Sequence, residues 1–191
     1  MAVRPFTRLP YHTAFLSASL HYEDRPVVDF FRGLLFEYGI RPITIGIDSY
    51  AANNYEAAML AEQEIKKADC VVAILTKRYL MDRGGYKPSE WTFEEPAIGL
   101  AANKPVYVFY EDGISLKGVS ATRARYGIPF DRERLKEDRS RLAEHVHKIQ
   151  DEIATIKSNG LWKMVGIGAV VAGGLYLLSK IFGSDDSDDG E

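Results

Sequence analysis

The residue types best suited to chemistry lie together in the segment 89–106. Glu94 and Glu95 are adjacent carboxylates that follow Trp91, and the chain then runs through the small-residue stretch Ala97-Ile98-Gly99-Leu100-Ala101 to a Lys104-Pro105 turn. A carboxylate next to an aromatic wall stabilises the positive charge that develops on a sugar carbon when a glycosidic bond breaks. A plainer reading is a first-turn acid that complements the helix dipole, worth a few tenths of a kcal/mol. From position alone the plainer reading is favoured, because most acids at helix starts do only this. A second group is Ser17-Ala18-Ser19, which sets small hydroxyls and free backbone N–H groups beside a helix start and so suits a phosphate. Taken alone it is a common loop sequence.

The elements that must position these residues follow from periodicity. The residues 13–17 read as a first strand, and Asp24 as the N-cap of a helix with apolar positions at Val27, Val28, Phe31, Leu34, Leu35 and Tyr38, ended by Gly39. The residues 43–48 read as a second strand. Asn53 and Asn54 close the loop after it, and a helix with Ala57, Leu60, Ala61, Ile65 and Ala68 inward leads to the apolar strand 70–75. The acidic segment follows, then the strand 106–110. Such alternation predicts βαβ units, a parallel sheet and helices on both faces. The expected fold class is α/β, a flavodoxin-like three-layer domain with a parallel sheet of about five strands. In such sheets ligands bind outside the carboxyl ends of the strands, which is where Glu94 and Glu95 should stand.

Beyond the strand 106–110 the pattern weakens. The residues 111–125 form a polar loop, and 126–130 read as an edge strand in which Pro129 is tolerated. Asp131 is expected to cap a long helix to about Ser158. Its positions Leu142, Val146, Ile149, Ile153 and Ile156 alternate four and three apart, a short heptad seam. The part before His147 is expected to pack on its own domain and the later half to project. The residues 161–183 carry charge only at Lys163 and Lys180, long enough to span a core of roughly 30 Å. Four glycines between Lys163 and Lys180 argue against a buried soluble helix. The segment reads as a single transmembrane helix, and Arg141, Lys148, Lys157 and Lys163 on its N-terminal side put the globular part in the cytoplasm. The expected organisation is a domain over 1–130, a stalk over 131–160, the membrane helix over 161–183 and an acidic disordered tail over 184–191.

Composition narrows the function classes. At 191 residues with a net charge of −3, the chain suits one domain plus appendages. The lone Cys70 excludes an internal disulfide and reads as a small core residue. His145 and His147 point to different helix faces and make no metal pair. The alternating charges of 132–141 form a solvated face, so no nucleic acid is expected as a partner.

The motifs together resemble a Toll/interleukin receptor (TIR) domain of prokaryotic type over roughly 13–130. Phe15-Leu16-Ser17 with Glu23-Asp24-Arg25 is similar to that family's opening motif. The passage 65–80 resembles its helix-to-strand segment, and Ser89-x-Trp91 with a glutamate four residues later resembles its third motif. In the enzymatic members that glutamate cleaves NAD, and here it falls on Glu95. Two features depart from the pattern: Pro96 directly follows Glu95, and 81–87 lengthen the preceding loop. Pro96 would stand at N1 if Glu95 caps, or further in if Thr92 does. Glu95-x-x-x-Gly99-x-Ala101-x-x-Lys104-Pro105 is also similar to nucleoside deoxyribosyltransferases, which place a glutamate at the same kind of anomeric carbon.

Together with the membrane helix read over 161–183, the resemblance implies a membrane-anchored NAD+ nucleosidase, with NAD+ or a related nucleotide as substrate and no resident cofactor or metal. Glu95 would be catalytic. Ser17, Ala18 and Ser19 would hold phosphate or ribose hydroxyls, Asp48 at the top of the second strand would face the site, and Trp91 would wall it. It further implies self-association through the TIR domain and a role in antiphage defence or nucleotide signalling, while the run 161–183 adds association through the transmembrane helix and the lipid bilayer as a partner. A deoxyribosyltransferase-like enzyme or a non-enzymatic adaptor acting by TIR–TIR association are the alternatives.

Overall fold

The computed structural model describes residues 12–81, 84–89, 91–116 and 124–159, without the side chains of Trp91 and Phe93. The chain divides into a unit Met1–Thr155 and a second unit from Ile156 onward, and the architecture below is that of the first. Among the described residues no helix is long and apolar enough to cross a membrane. The apolar run 161–183 and the acidic tail 184–191 lie outside them.

Five parallel strands form the central sheet: β1 (His12–Ala18), β2 (Ile40–Ile43), β3 (Cys70–Leu75), β6 (Val106–Glu111) and β7 (Tyr126–Phe130), in the order β2-β1-β3-β6-β7. This is the flavodoxin-like order. Every residue of β3 is buried, and successive side chains alternate between two cores, as a strand covered on both faces requires. Cys70, Val72 and Ile74 join one core with Ala14 and Leu16 of β1, Tyr107 and Phe109 of β6, and Phe130 of β7. Val71, Ala73 and Leu75 join the other with Phe15, Val106 and Val108.

The first core is covered by α1 (Arg25–Glu37) and α4 (Arg139–Ser158), the second by α2 (Asn54–Lys67) and α3 (Trp91–Ala101). In α1 the expected Val27, Val28, Phe31, Leu34 and Leu35 are the buried positions, and Gly39 takes φ +73° just beyond the helix. α2 starts with reciprocal capping: Glu56 donates its N–H to Asn53 Oδ1 at 2.9 Å, and Ala52 donates its N–H to Glu56 Oε2 at 2.7 Å. α3 lies close on β3. A Cβ added at Gly99 would come 2.6 Å from Val71 Cγ2, so only glycine permits that approach.

Four expectations need correction. The second strand is Ile40–Ile43, not 43–48. It is the sheet edge, where Pro42 removes no needed ladder bond, and the chain then turns through Gly46 at φ +85°. Asp24 precedes α1 but makes no side-chain cap bond. Its buried Oδ1 instead accepts from Arg132 Nη2 at 3.0 Å, while Arg132 also grips the buried Glu111 with two bonds of 2.8 and 2.7 Å. Glu111 accepts the Lys77 N–H as well, at 2.9 Å, so one charge cluster ties together the loops leaving β1, β3, β6 and β7. Asp131 caps only a 3-10 turn, Arg132–Arg134, and the long helix begins at Arg139.

The fourth correction concerns the heptad seam. Leu142, Val146, Ile149 and Ile153 are all fully buried against the sheet. The later half of the helix therefore packs on its own domain through Ile153, and these side chains are not an association face. Spacing of four and three serves a helix lying on a sheet as well as a coiled coil.

Of the residues that lengthen the loop before α3, the described ones, 81 and 84–87, belong to a hairpin. Its strands are β4 (Tyr79–Leu80) and β5 (Tyr86–Lys87), antiparallel, with Gly84 and Gly85 at positive φ.

Candidate active site

A cavity of about 230 Å³ opens at the carboxyl end of the sheet, lined by Ala18, Ser19, Leu20, Ile45, Asn54, Ala57, Ser89 and Glu95. Ala18 ends β1, and Ser19 and Leu20 continue into its loop. Ile45 lies beyond β2, Asn54 and Ala57 form the start of α2, and Ser89 leads into α3. The strand order reverses between β1 and β3, the place where such sheets part their loops and leave a crevice.

Glu94 and Glu95 are separated by the helix. α3 begins at Trp91, so Glu94 is the exposed acid of the first turn and Glu95 is the fifth residue, rotated inward and half-buried. The dipole-complementing reading therefore belongs to Glu94, and the cavity belongs to Glu95. Thr92 helps to open the helix, since its N–H and hydroxyl both donate to the Ser89 carbonyl, at 3.2 and 2.6 Å. Pro96 stands inside α3, not at its first position. It has no N–H to offer the Thr92 carbonyl four residues back, so the helix loses one rung beside Glu95.

The environment of Glu95 alters its acidity. Burial pushes the carboxyl up to about 7; the nearby Ser17 hydroxyl holds it down in part, and the Glu94 charge adds a smaller upward push. Ser17 Oγ is fully buried and makes no hydrogen bond of ordinary geometry. It lies on the α2 and α3 face of β1 near Glu95 and is not among the residues lining the cavity. A carboxyl poised near neutrality in a cleft is a group whose charge can be used.

The expected site residues divide accordingly. Glu95, Ala18 and Ser19 line one cavity, and Ser17 is near Glu95 without lining it. Asp48 does not line it. Its two oxygens accept from Arg32 at 2.7 and 2.9 Å, and one also accepts the Thr44 N–H at 2.8 Å. Burial raises the Asp48 carboxyl, but the Arg32 bonds, the Thr44 N–H and the charges of Arg32 and Arg41 together hold it below the usual carboxylate range. It fastens the β2–α2 turn to α1. Trp91 is the first residue of α3, one turn before Glu95, and its side chain lies outside the described residues.

Leu20, Ile45, Asn54, Ala57 and Ser89 were not expected at the site. Ser89 carried a signal in the Ser-x-Trp pattern, and Asn54 stands beside the capping Asn53. The three apolar members are indistinguishable in sequence from core residues.

No protein-family model matches the chain, and no curated protein matches it. Solved structures similar to this chain include these three. A CMP N-glycosidase, BcmB, from Clostridium botulinum aligns with TM-score 0.48 and 18% identity, over 68% of this chain and 98% of that one. A 2-deoxyribosyltransferase from Bacillus psychrosaccharolyticus aligns with TM-score 0.45 and 16% identity, over 62% and 85%. A prokaryotic SEFIR domain aligns with TM-score 0.41 and 21% identity, over 71% and 98%. Likenesses this distant carry no activity over to this chain.

Proposed function

We propose that the chain cleaves an N-glycosidic bond of a nucleotide, and that the bond is the nicotinamide–ribose bond of NAD+. One observation carries this reading: a half-buried carboxylate with a raised pKa faces a sugar-sized cavity at the switch point of a parallel sheet. The choice of NAD+ rests on the motif resemblance around Phe15-Leu16-Ser17 and Trp91.

The chemistry asks little of the protein. Nicotinamide in NAD+ leaves as a neutral base from a cationic ring, so no general acid is required. What needs support is the oxocarbenium-like ribose, and the Glu95 carboxylate supplies the opposite charge at short range in a partly dry site. Ser19, Asn54 and Ser89 offer hydroxyl and amide groups to ribose oxygens. Water, a hydroxyl of the same molecule or a second nucleophile then completes hydrolysis, cyclisation or transfer.

Because Glu95 acts in its charged form, release of nicotinamide from NAD+ should rise with pH and level off above about 7, with a slope below that of about tenfold per pH unit. Ser17→Ala should move the inflection upward, since the hydroxyl holds the carboxyl down, and Glu94→Gln should move it downward by removing a like charge. A profile flat from about pH 6 to about pH 8 would show that no catalytic carboxylate titrates near neutrality, and the Glu95→Gln variant would then decide whether Glu95 takes part. Base exchange on a deoxynucleoside without NAD+ cleavage would instead establish the transferase.

The reading extends to place and role. The run 161–183 anchors the chain in a membrane with the α/β domain cytoplasmic, self-association through the domain and the membrane helix concentrates the sites, and the enzyme serves antiphage defence or nucleotide signalling. The full chain should fractionate with membranes and resist carbonate extraction, and recovery in the supernatant would refute the anchor.

A further inference from the structure

Arg78 and Tyr79, after β3, and Tyr22, on the loop after β1, lie on segments that adjoin the cavity wall. Arg78 follows β3 and is half-buried, and its backbone N–H donates to the Lys87 carbonyl at 3.1 Å, which seats it in the hairpin. Among the described residues its guanidinium has no carboxylate partner, unlike Arg32, Arg125, Arg132, Arg139 and Arg141. It lies 6.0 Å from the centre of the Tyr79 ring. Its charge also reaches Tyr22, where it opposes the Glu23 hydrogen bond that raises the phenol. The Glu23 carboxylate accepts from the Tyr22 hydroxyl at 2.9 Å and lies 3.6 Å from His21 Nδ1, so its two oxygens face those groups and not the Arg78 guanidinium.

Both arms of the cluster join the cavity wall. Tyr22 is two residues beyond Leu20, and Lys87, which holds Arg78, is two residues before Ser89. Tyr22 is 75% exposed and Tyr79 53% exposed. Large rings left this open beside an arginine without an acid partner form a surface suited to an anion carrying a flat apolar group. Guanidinium binds phosphate oxygens in a planar fork, and nucleobases stack on aromatic side chains whatever their sequence.

We propose that Arg78, with Tyr22 and Tyr79, is a second binding point that takes the phosphate and base of the distal half of a dinucleotide, while the glycosyl end enters the cavity. The proposal rests on the reading of the cavity as an N-glycosidic site. It deepens that reading by selecting substrates with a nucleotide beyond the scissile ribose, so that a bare nucleoside lacks the second hold.

The test uses ADP-ribose, which has the phosphates and the base but no nicotinamide. Calorimetric titration of the full chain should show binding that weakens with added salt. Arg78→Gln should weaken it at least tenfold and flatten the salt dependence. Tyr22→Leu and Tyr79→Leu should each weaken it severalfold while leaving the salt slope. Arg78→Lys, which retains the charge, should keep the salt slope and separates lost binding from lost folding. In kinetics, Arg78→Gln should cut the preference for NAD+ over nicotinamide riboside at least tenfold. Equal ADP-ribose affinity in the wild type and Arg78→Gln overturns the proposal, even where NAD+ is cleaved. Binding that depends on Arg78 in a protein that cleaves no NAD+ upholds this subsite and refutes the proposed reaction.

Discussion

Glu95→Gln should lower nicotinamide release by at least ~10²-fold, roughly 3 kcal/mol of transition-state stabilisation, and should at the same time make the protein more resistant to heat above neutral pH. Glutamine keeps the shape and the hydrogen-bonding atoms but has no charge to set against the sugar cation. The stability effect has the opposite sign from that of an ordinary surface acid. Burial lifts the Glu95 carboxyl from 4.5 to about 7 in the folded protein, so the fold favours the protonated form. The contribution of this group is greatest below the unfolded value and is lost as pH rises through the folded one. Complete ionisation costs the folded state on the order of 3 kcal/mol, with solvent at the open side of the cavity reducing that figure. Glutamine avoids the cost, so the gain in melting temperature should grow between about pH 5 and about pH 8. Glu94→Gln should keep most activity, since Glu94 is exposed on the first turn. Activity surviving in Glu95→Gln would show that this carboxylate is not catalytic, and a melting curve that gains nothing at high pH would show that it is not held out of water.

Ile149→Asp together with Ile153→Asp should abolish cooperative unfolding altogether. Both side chains are fully buried in the core formed by α1, α4 and one face of the sheet. Each substitution removes a large apolar side chain and sets an unpaired carboxylate in its place, and truncation alone costs about 2–5 kcal/mol. Two such losses match the whole stability of an ordinary domain, about 5–15 kcal/mol. Circular dichroism should show no thermal transition, while Lys148→Asp, on the exposed side of the same helix, should melt like the wild type. A folded double variant that had lost only crosslinked dimers would mean that α4 projects and its apolar stripe joins two chains.

Much of the architecture was legible in the chain because its determinants are local. The unbroken apolar run of β3 announces a strand buried on both faces, and the spacing of Val27, Val28, Phe31, Leu34 and Leu35 marks the inner side of α1. Gly39 ends that helix because its positive φ suits a residue without a Cβ. Glu95 was legible through its spacing from Trp91. The misplaced features share a cause, which is that their partners are distant in sequence. Ile40–Ile43 is a strand because β1 lies beside it, whereas 43–48 only looked more β-like. Asp24 carries every local mark of a cap, yet a guanidinium 108 residues away claims it. Asp48 would face the site if its strand ran on, but the chain turns and Arg32 holds it. The stripe on α4 is the same for a coiled coil and for a sheet, and only the open face of β6 and β7 decides between them.

The acidity of Glu95 belongs wholly to the tertiary structure. Composition names a glutamate, and periodicity sets it on a helix. Its pKa depends on how much water the loops beyond β1, β2 and β3 exclude, and on Ser17 arriving from a strand far back in the chain. Dielectric surroundings are a property of volume, set by which segments meet there, and no window of sequence contains that volume.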